Sequence, residues 1–345
     1  MIGAGPPPAS LRHHAAATHR IAETETEKHR NACYYDGRIF GRRFRTGQTM
    51  KVMITGAAGK LGSQTVSELQ ASDEDWQIVA VDKRARCPVP FDWDKVDLRD
   101  EEAVNRAMSG VEAIVHLGNY SGPGWGTRRS HATTFNENMA MDYNVFDAAA
   151  KAGARKIVFA SSVQVVASER NDPEDPPHAH TVAYLPLDDD NPANPTNCYA
   201  LSKHFGEQLL GQFFAAFGIQ CASLRFPALR RLGEKRRPRA RRRHTPRSKH
   251  LPVRIAQAFS YLSYRDAARA VLAVLRSDLP GHRVYLPALS RITGDKVPAA
   301  IEKHYPNVPL KRPIEQIDSL VDISRIQQDT GWKPQRYHHP AGRNR

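Results

Sequence analysis

Met50-Lys51-Val52-Met53-Ile54-Thr55-Gly56-Ala57-Ala58-Gly59-Lys60-Leu61-Gly62 reads as a short apolar strand that runs directly into three spaced glycines and then a helix. Glycines at these places let the backbone turn tightly, admit a pyrophosphate close to main-chain N–H groups, and let the helix pack near the strand. The spacing alone is weakly specific, and its seat between a strand and a helix is what gives it meaning. Asp82 lies 20 residues past Gly62 and closes a second apolar run at 77–81. A carboxylate there would accept hydrogen bonds from the adenosine ribose hydroxyls. It would also repel a 2′-phosphate, which favours NAD, whereas the adjacent Lys83 and Arg84 keep NADP as the alternative.

Strand-like runs at 51–55, 77–81, 111–117, 155–160 and 219–225 alternate with helical patterns at 61–71, 101–109, 136–152 and 198–217. Asp100 stands where the second helix needs an N-cap. Several strands are apolar on both faces and so need a helical layer on each side. The alternation therefore predicts an α/β fold, a Rossmann-type doubly wound parallel sheet over 50–228. A helix at 265–277 and a short strand near 283–286 predict a small C-terminal substrate lobe, 251–334, interleaved with that sheet.

Two stretches break the alternation. Residues 168–197 are rich in Asp, Pro and Asn and read as a long loop crossing toward Tyr199, with 171–180 as an insertion. Residues 229–250 are Arg-rich without periodicity and read as a disordered insertion. Residues 1–49 hold a triple proline and an alternating Glu-Thr run but no apolar core of a secretory signal, and they read as a disordered basic extension. Met50 directly ahead of a clean strand suits a chain start there, and a functional basic tail is the competing reading. Residues 335–345 read as a frayed tail.

The net charge of +14 invites a nucleic-acid partner. Residues 229–250 hold 11 Lys and Arg against one acid, and residues 1–50 hold eight against four, which leaves 31 against 31 elsewhere. The body is neutral, so no nucleic acid is expected. Interleaved aromatics are also missing from the Arg run. No 18-residue apolar run is present, which excludes a membrane-spanning helix. The four cysteines lack disulfide or zinc spacing, so a reducing, cytoplasmic location is expected. No metal site is expected either: the histidines show no ligand spacing, and Asp188-Asp189-Asp190 reads as a solvated turn.

Tyr199 and Lys203 are four residues apart at the start of a helix and share one face. A free tyrosine is a poor base at neutral pH, but a nearby ammonium stabilises the phenolate. Ser161 and Ser162 end an apolar strand and are placed to hold a substrate oxygen. His116, at the end of another apolar strand, reads as packed or beside the cofactor rather than as a base.

Together these motifs resemble the extended short-chain dehydrogenase/reductases, in their NAD-dependent epimerase/dehydratase branch. Residues 55–62 look like the TGxxGxxG loop, Ala160-Ser161-Ser162 like the SSS run, Tyr199 to Lys203 like YxxxK, 264–270 like the late VDDAARA helix start, and Gly331-Trp332-Lys333-Pro334 like the closing GWxP. The resemblance implies Ser162, Tyr199 and Lys203 as catalytic. It implies cofactor contacts from Gly56, Ala58, Gly59, Lys60, Leu61, Gly62 and Asp82, and from Asp97 and Leu98 after the third strand. Leu117, Gly118 and Asn119 (after His116), Asn138, Tyr199, Lys203, Phe226 and Pro227 complete that set.

Departures stand beside it. Val165-Val166-Ala167 replaces the usual VYG, Ser162 and Tyr199 are 37 residues apart, and Arg225-Phe226-Pro227-Ala228 replaces the usual Asn-containing turn. The implied activity is hydride transfer on a sugar or nucleotide sugar, as in a UDP-glucose 4-epimerase. The interval from Pro227 to Tyr264 is short, which keeps a uronate-dehydrogenase-like oxidation of a free sugar acid as the alternative. A non-catalytic dinucleotide-binding sensor is a third reading, and homodimerisation is an open expectation.

Overall fold

Successive side chains of a strand point to opposite faces, and here both faces are apolar. The computed structural model describes residues 49–86, 89–121, 129–167, 182–231 and 253–335. Its elements run β1 (Met50–Thr55), α1 (Lys60–Gln70), β2 (Trp76–Asp82), β3 (Asp94–Lys95), α2 (Glu101–Ala107), β4 (Ala113–His116), α3 (His131–Lys151), β5 (Lys156–Ser162), α4 (Cys198–Phe217) and β6 (Gln220–Phe226). They continue with β7 (Leu229–Arg230), α5 (Val253–Ala256), β8 (Ser260–Ser263), α6 (Tyr264–Arg276), β9 (His282–Tyr285), β10 (Leu289–Ser290), α7 (Val297–His304) and α8 (Ser324–Thr330).

Val52 and Ile54 of β1, Val115 of β4 and Val158 of β5 join one buried cluster with Val66 and Leu69 of α1 and Val271 and Leu275 of α6. The intervening Met53, Ile114, Ile157 and Phe159 join the other, with Val104 of α2, Val145 and Phe146 of α3, and Leu210 and Phe213 of α4. The period of two thus sorts each strand between two helical layers. The sheet order is β3-β2-β1-β4-β5-β6-β9, and every pairing is parallel. Strand order reverses between β1 and β4, where such sheets open a crevice beyond their carboxyl ends.

Local chemistry sets the helix ends. Asp100 accepts the Ala103 N–H at 3.0 Å and caps α2 as expected. Asn197 accepts from Ala200 at 2.9 Å to start α4, and Gly218, at φ 68°, ends it in the left-handed form that glycine adopts freely. Helix α3 begins five residues ahead of the expected 136, because Ser130 caps it by accepting the Thr133 N–H. Its first turn lacks apolar periodicity, which hid it. Strand β4 is shorter than 111–117, since Val111 bonds back to Met108 instead of joining the ladder.

The lobe is a third cluster, with Val163, Val165, Leu185, Leu187, Leu286, Val297, Ile301, Tyr305 and Leu320 buried together beside the three-stranded sheet β10-β8-β7. Two expectations change here. Leu229–Arg230, placed in the Arg-rich insertion, instead form β7 against Leu262 and Ser263. The solvated turn at Asp188 to Asp190 is corrected: Asp189 is buried, accepts the Leu286 N–H and lies near Arg325, while Lys311 bonds Asp188 and Arg325 bonds Asp190. Leu185 and Leu187, both fully buried, pin that turn to the lobe. The segments 1–48, 168–181, 232–252 and 336–345, including most of the expected disordered stretches, lie outside the described residues.

Candidate functional site

The crevice begins at the glycine turn. Gly56 has φ 65°, and a Cβ there would stand 3.0 Å from the backbone of Gly118, so the turn after β1 lies directly on the turn after β4. A Cβ on Gly59 would come 2.9 Å from the Gly56 carbonyl, and one on Gly62 would overlap Gly56 and Ala57. Helix α1 starts at Gly59 with no capping side chain and no acid in its first turn. Its leading amides, unscreened by any side chain of their own helix, suit a pyrophosphate. Lys60 and Leu61 open this helix, Lys60 exposed and Leu61 partly buried. The chain's residues therefore fit a dinucleotide.

Asp82 ends β2 beside this turn. Its two carboxylate oxygens accept the N–H groups of Ala58 at 3.1 Å and Arg84 at 3.0 Å, which fixes its orientation at the crevice edge. Lys83 turns away to the Tyr120 hydroxyl at 2.6 Å, and Arg84 bonds the Ala58 carbonyl at 2.6 Å. Asp97 is gripped by Arg99, which holds its carboxyl down at about 2, and Arg99 also reaches Glu137. Leu98 is buried under Gly118.

The second wall is held by Thr55. Its Oγ1 accepts the N–H groups of Leu117 at 3.0 Å and Gly118 at 3.1 Å. Asn119 follows, half-buried, in the same turn. Asn138 spends its amide on structure: it accepts from the Tyr120 N–H and donates to the Tyr120 carbonyl and the Ser202 hydroxyl. It braces that turn against α4.

Helix α4 carries Tyr199, Lys203 and Glu207 one turn apart along one face, turned toward the ends of β5 and β6. The paired serines divide their work. Ser161 donates to Glu207 Oε1 at 2.5 Å, whereas Ser162 lies beside the Tyr199 phenol and accepts the Gln164 N–H at 3.2 Å. Phe226 pairs with Ser162 in register, and Pro227 follows it, both buried. Burial pushes the Tyr199 phenol up to about 12, with the nearby Ser162 hydroxyl opposing and the Asp142 charge adding. Lys203 packs its ammonium 4.4 Å from the centre of the Phe159 ring. Burial lowers its pKa, against the pull of Asp142 and Glu207.

The structure thus brings Ser162, Tyr199 and Lys203 together beside the glycine turn. It also reveals two charged residues that the motif reading passed over, Asp142 and Glu207, and a partner for Arg225, which that reading noted only as a departure. The spacing of Glu207, four past Lys203, was the available signal. His116 is fully buried between Thr55 and Asp142, which agrees with a packed role. Among the described residues no group of three His, Cys, Asp or Glu side chains could hold a metal ion, and no helix is long and apolar enough to cross a membrane.

Residues 52–286 match the model of the NAD dependent epimerase/dehydratase family. A uronate dehydrogenase of Pseudomonas putida is 30% identical over 176 residues, 51% of this chain and 59% of the relative, so the match spans less than two thirds of that protein. Among solved structures, uronate dehydrogenase from Agrobacterium tumefaciens superposes with a TM-score of 0.54 at 23% identity, covering 84% of this chain and 85% of the other. A UDP-glucose 4-epimerase with UDP-glucose from Thermotoga maritima gives 0.57 at 18%, covering 83% and 94%. These two structural likenesses establish a shared fold.

Proposed function

Because the chain belongs to the NAD dependent epimerase/dehydratase family, we propose that it is an oxidoreductase that moves hydride between a sugar carbon and bound NAD. The observation that carries this reading is the convergence of Ser162, Tyr199 and Lys203 at the carboxyl edge of the sheet, beside an uncapped helix start. NAD supplies the hydride acceptor, nicotinamide C4, and a positive ring charge. The glycine turn and the first amides of α1 hold the pyrophosphate, and Asp82 takes the adenosine ribose. Ser162 orients the substrate hydroxyl, and Tyr199 removes its proton as the carbon–hydrogen bond gives up hydride. Lys203 holds the nicotinamide ribose and offsets the burial that keeps the phenol protonated. The balance is one alcohol and NAD⁺ to one carbonyl, NADH and a proton.

The finer reading is oxidation of a free sugar acid, as the name of the Pseudomonas putida relative describes for that protein. The 33 residues 227–259 between β6 and β8 support it, since little chain is available there to enclose a nucleotide. A nucleotide-sugar epimerase is the second reading, and the family description supports its epimerase part. Incubation with NAD and a panel of hexuronates and UDP-hexoses separates them. NADH accumulating with a hexuronate supports the first, and an epimerised sugar nucleotide without net NADH supports the second. Neither product from any member of the panel would overturn the hydride-transfer reading.

A further inference from the structure

Asp142 lies on α3 with 0% exposure, and its two oxygens meet different fates. Oδ1 is 2.9 Å from His116 Nε2, while Oδ2 is buried without a hydrogen-bond partner. The tautomer of that histidine follows from its other neighbour. Thr55 Oγ1 already accepts two backbone N–H groups, from Leu117 and Gly118, so its own proton goes to His116 Nδ1 at 2.7 Å. His116 Nε2–H then donates to Asp142 Oδ1. With Nδ1 accepting from Thr55, the ring carries a single proton and is neutral, so it does not cancel a charge on the carboxylate, and burial lowers the histidine's pKa in the same sense.

A lone carboxylate in a protein interior is costly, and such groups are held only where an opposite charge lies close. Position 206 on α4 shows how the space was made. A Cβ on Gly206 would stand 2.9 Å from Asp142 Oδ2 and 2.6 Å from the Phe159 ring, so only glycine lets the helix backbone close over both. Lys203, one turn earlier on α4 and 1% exposed, lies against that same ring. The charged and titratable groups around it are Asp142 from α3, His116 from β4, and Tyr199 and Glu207 from α4 itself. Glu207 is spent on Arg225 and Ser161. Asp142 is the anion with charge to spare.

We propose that Asp142 is the positioning counter-ion of Lys203, held by the Thr55–His116 chain so that the ammonium stays charged inside the closed site. The proposal rests on the reading that Lys203 activates Tyr199. Asp142 is fully buried, so its action runs through the lysine. The hydrogen-bonded chain starts at the threonine that holds the Leu117–Gly118 turn against the glycine loop and ends at Asp142. No ion pair within 4.0 Å joins Asp142 to Lys203, so the coupling acts through space beside the Phe159 ring.

Asp142→Asn keeps the shape: the amide oxygen can accept from His116, and the amide nitrogen takes the place of the unpartnered oxygen. The test is a pH titration of the Lys203 side-chain nitrogen by NMR in 15N-lysine-labelled full-length protein without cofactor, the signal being assigned by its loss in Lys203→Met. Wild-type Lys203 is expected to remain protonated at neutral pH, and the Asn variant is expected to lose its proton at a pH at least one unit lower, a tenfold fall in proton affinity. The upper limb of the kcat–pH profile should move with it. An unchanged titration in a folded Asn variant overturns the proposal, since a merely structural role would change melting and leave the lysine alone. Should the variant not fold, the wild-type titration decides, and a neutral Lys203 at pH 7 overturns it. A wild-type protein that titrates as expected but forms neither NADH nor an epimerised sugar from any member of the panel of hexuronates and UDP-hexoses refutes the functional reading and leaves the charge coupling standing.

Discussion

Two charged clusters sit one helical turn apart on α4, and they are built in opposite ways. In the first, Glu207 accepts from Ser161 and from both Nε and Nη2 of Arg225, at 2.5 to 3.0 Å, while Arg225 Nη1 donates to the carbonyls of Asp189 and Asn191. The carboxylate and the guanidinium are both engaged, and the pair ties α4 and β6 to the lobe. In the second, Lys203 rests on an aromatic face, Asp142 keeps a bare oxygen, and Tyr199 is pushed up to about 12 by burial. A satisfied buried pair holds shape, whereas an unsatisfied one stores a bias that chemistry can use.

The largest effect should come from the unsatisfied cluster. Tyr199→Phe keeps the ring and removes the acid–base group, so turnover should fall by about 10²- to 10⁴-fold. NAD affinity by calorimetry and the melting temperature should hardly change. If more than a tenth of the wild-type rate remains, the phenol is not the base. Arg225→Met should invert that pattern. It leaves Glu207 buried and unpaired, and denaturant unfolding should show a loss of about 3–5 kcal/mol.

Asp189, on the lobe side of the satisfied cluster, adds a pH signature. Burial pushes its carboxyl up to about 7, with the Leu286 N–H and the Arg325 charge opposing. A folded-state pKa above the unfolded value means that the native state binds more protons, so this stabilisation is full below about pH 4 and disappears as pH rises through 7. The swing is up to about 4 kcal/mol, of order 1.4 kcal/mol per unit. Melting followed from pH 4 to 8 should fall in the wild type and flatten in Asp189→Asn. A parallel decline in both proteins would assign the effect to another group.

The smallest effect is expected at the surface. Arg99 joins Asp97 to Glu137 but is 40% exposed, so Arg99→Ala should cost less than about 1 kcal/mol at moderate salt. A larger loss in urea unfolding would mean that this exposed chain of charges works like the buried one.

The fold was largely legible because its signals are local. Strand β1 and the glycine turn are contiguous, the period of two is visible in each strand, and Tyr199 and Lys203 share a helix face by spacing alone. Ser162 could be separated from Ser161 only by resemblance; in the structure Ser161 donates to Glu207. Asp142 and His116 were harder to join. They are 26 residues apart, and their meeting depends on how α3 lies against β4. Asp188 to Asp190 misled for the same reason: three consecutive acids look solvated until the buried Leu185 and Leu187 fix where they lie. Leu229 and Arg230 form too short a strand for any period to show.

The proposed reaction requires hydride to pass directly from sugar to nicotinamide at the Ser162–Tyr199–Lys203 cluster. The most direct measurement uses a hexuronate deuterated at the carbon to be oxidised, incubated with NAD and the full-length protein, with the product dinucleotide analysed by mass spectrometry and NMR. The expected result is NADH carrying the deuterium at nicotinamide C4, with the same label transfer abolished in Tyr199→Phe. Deuterium appearing in water rather than in NADH, or equal transfer by the Phe variant, would contradict it.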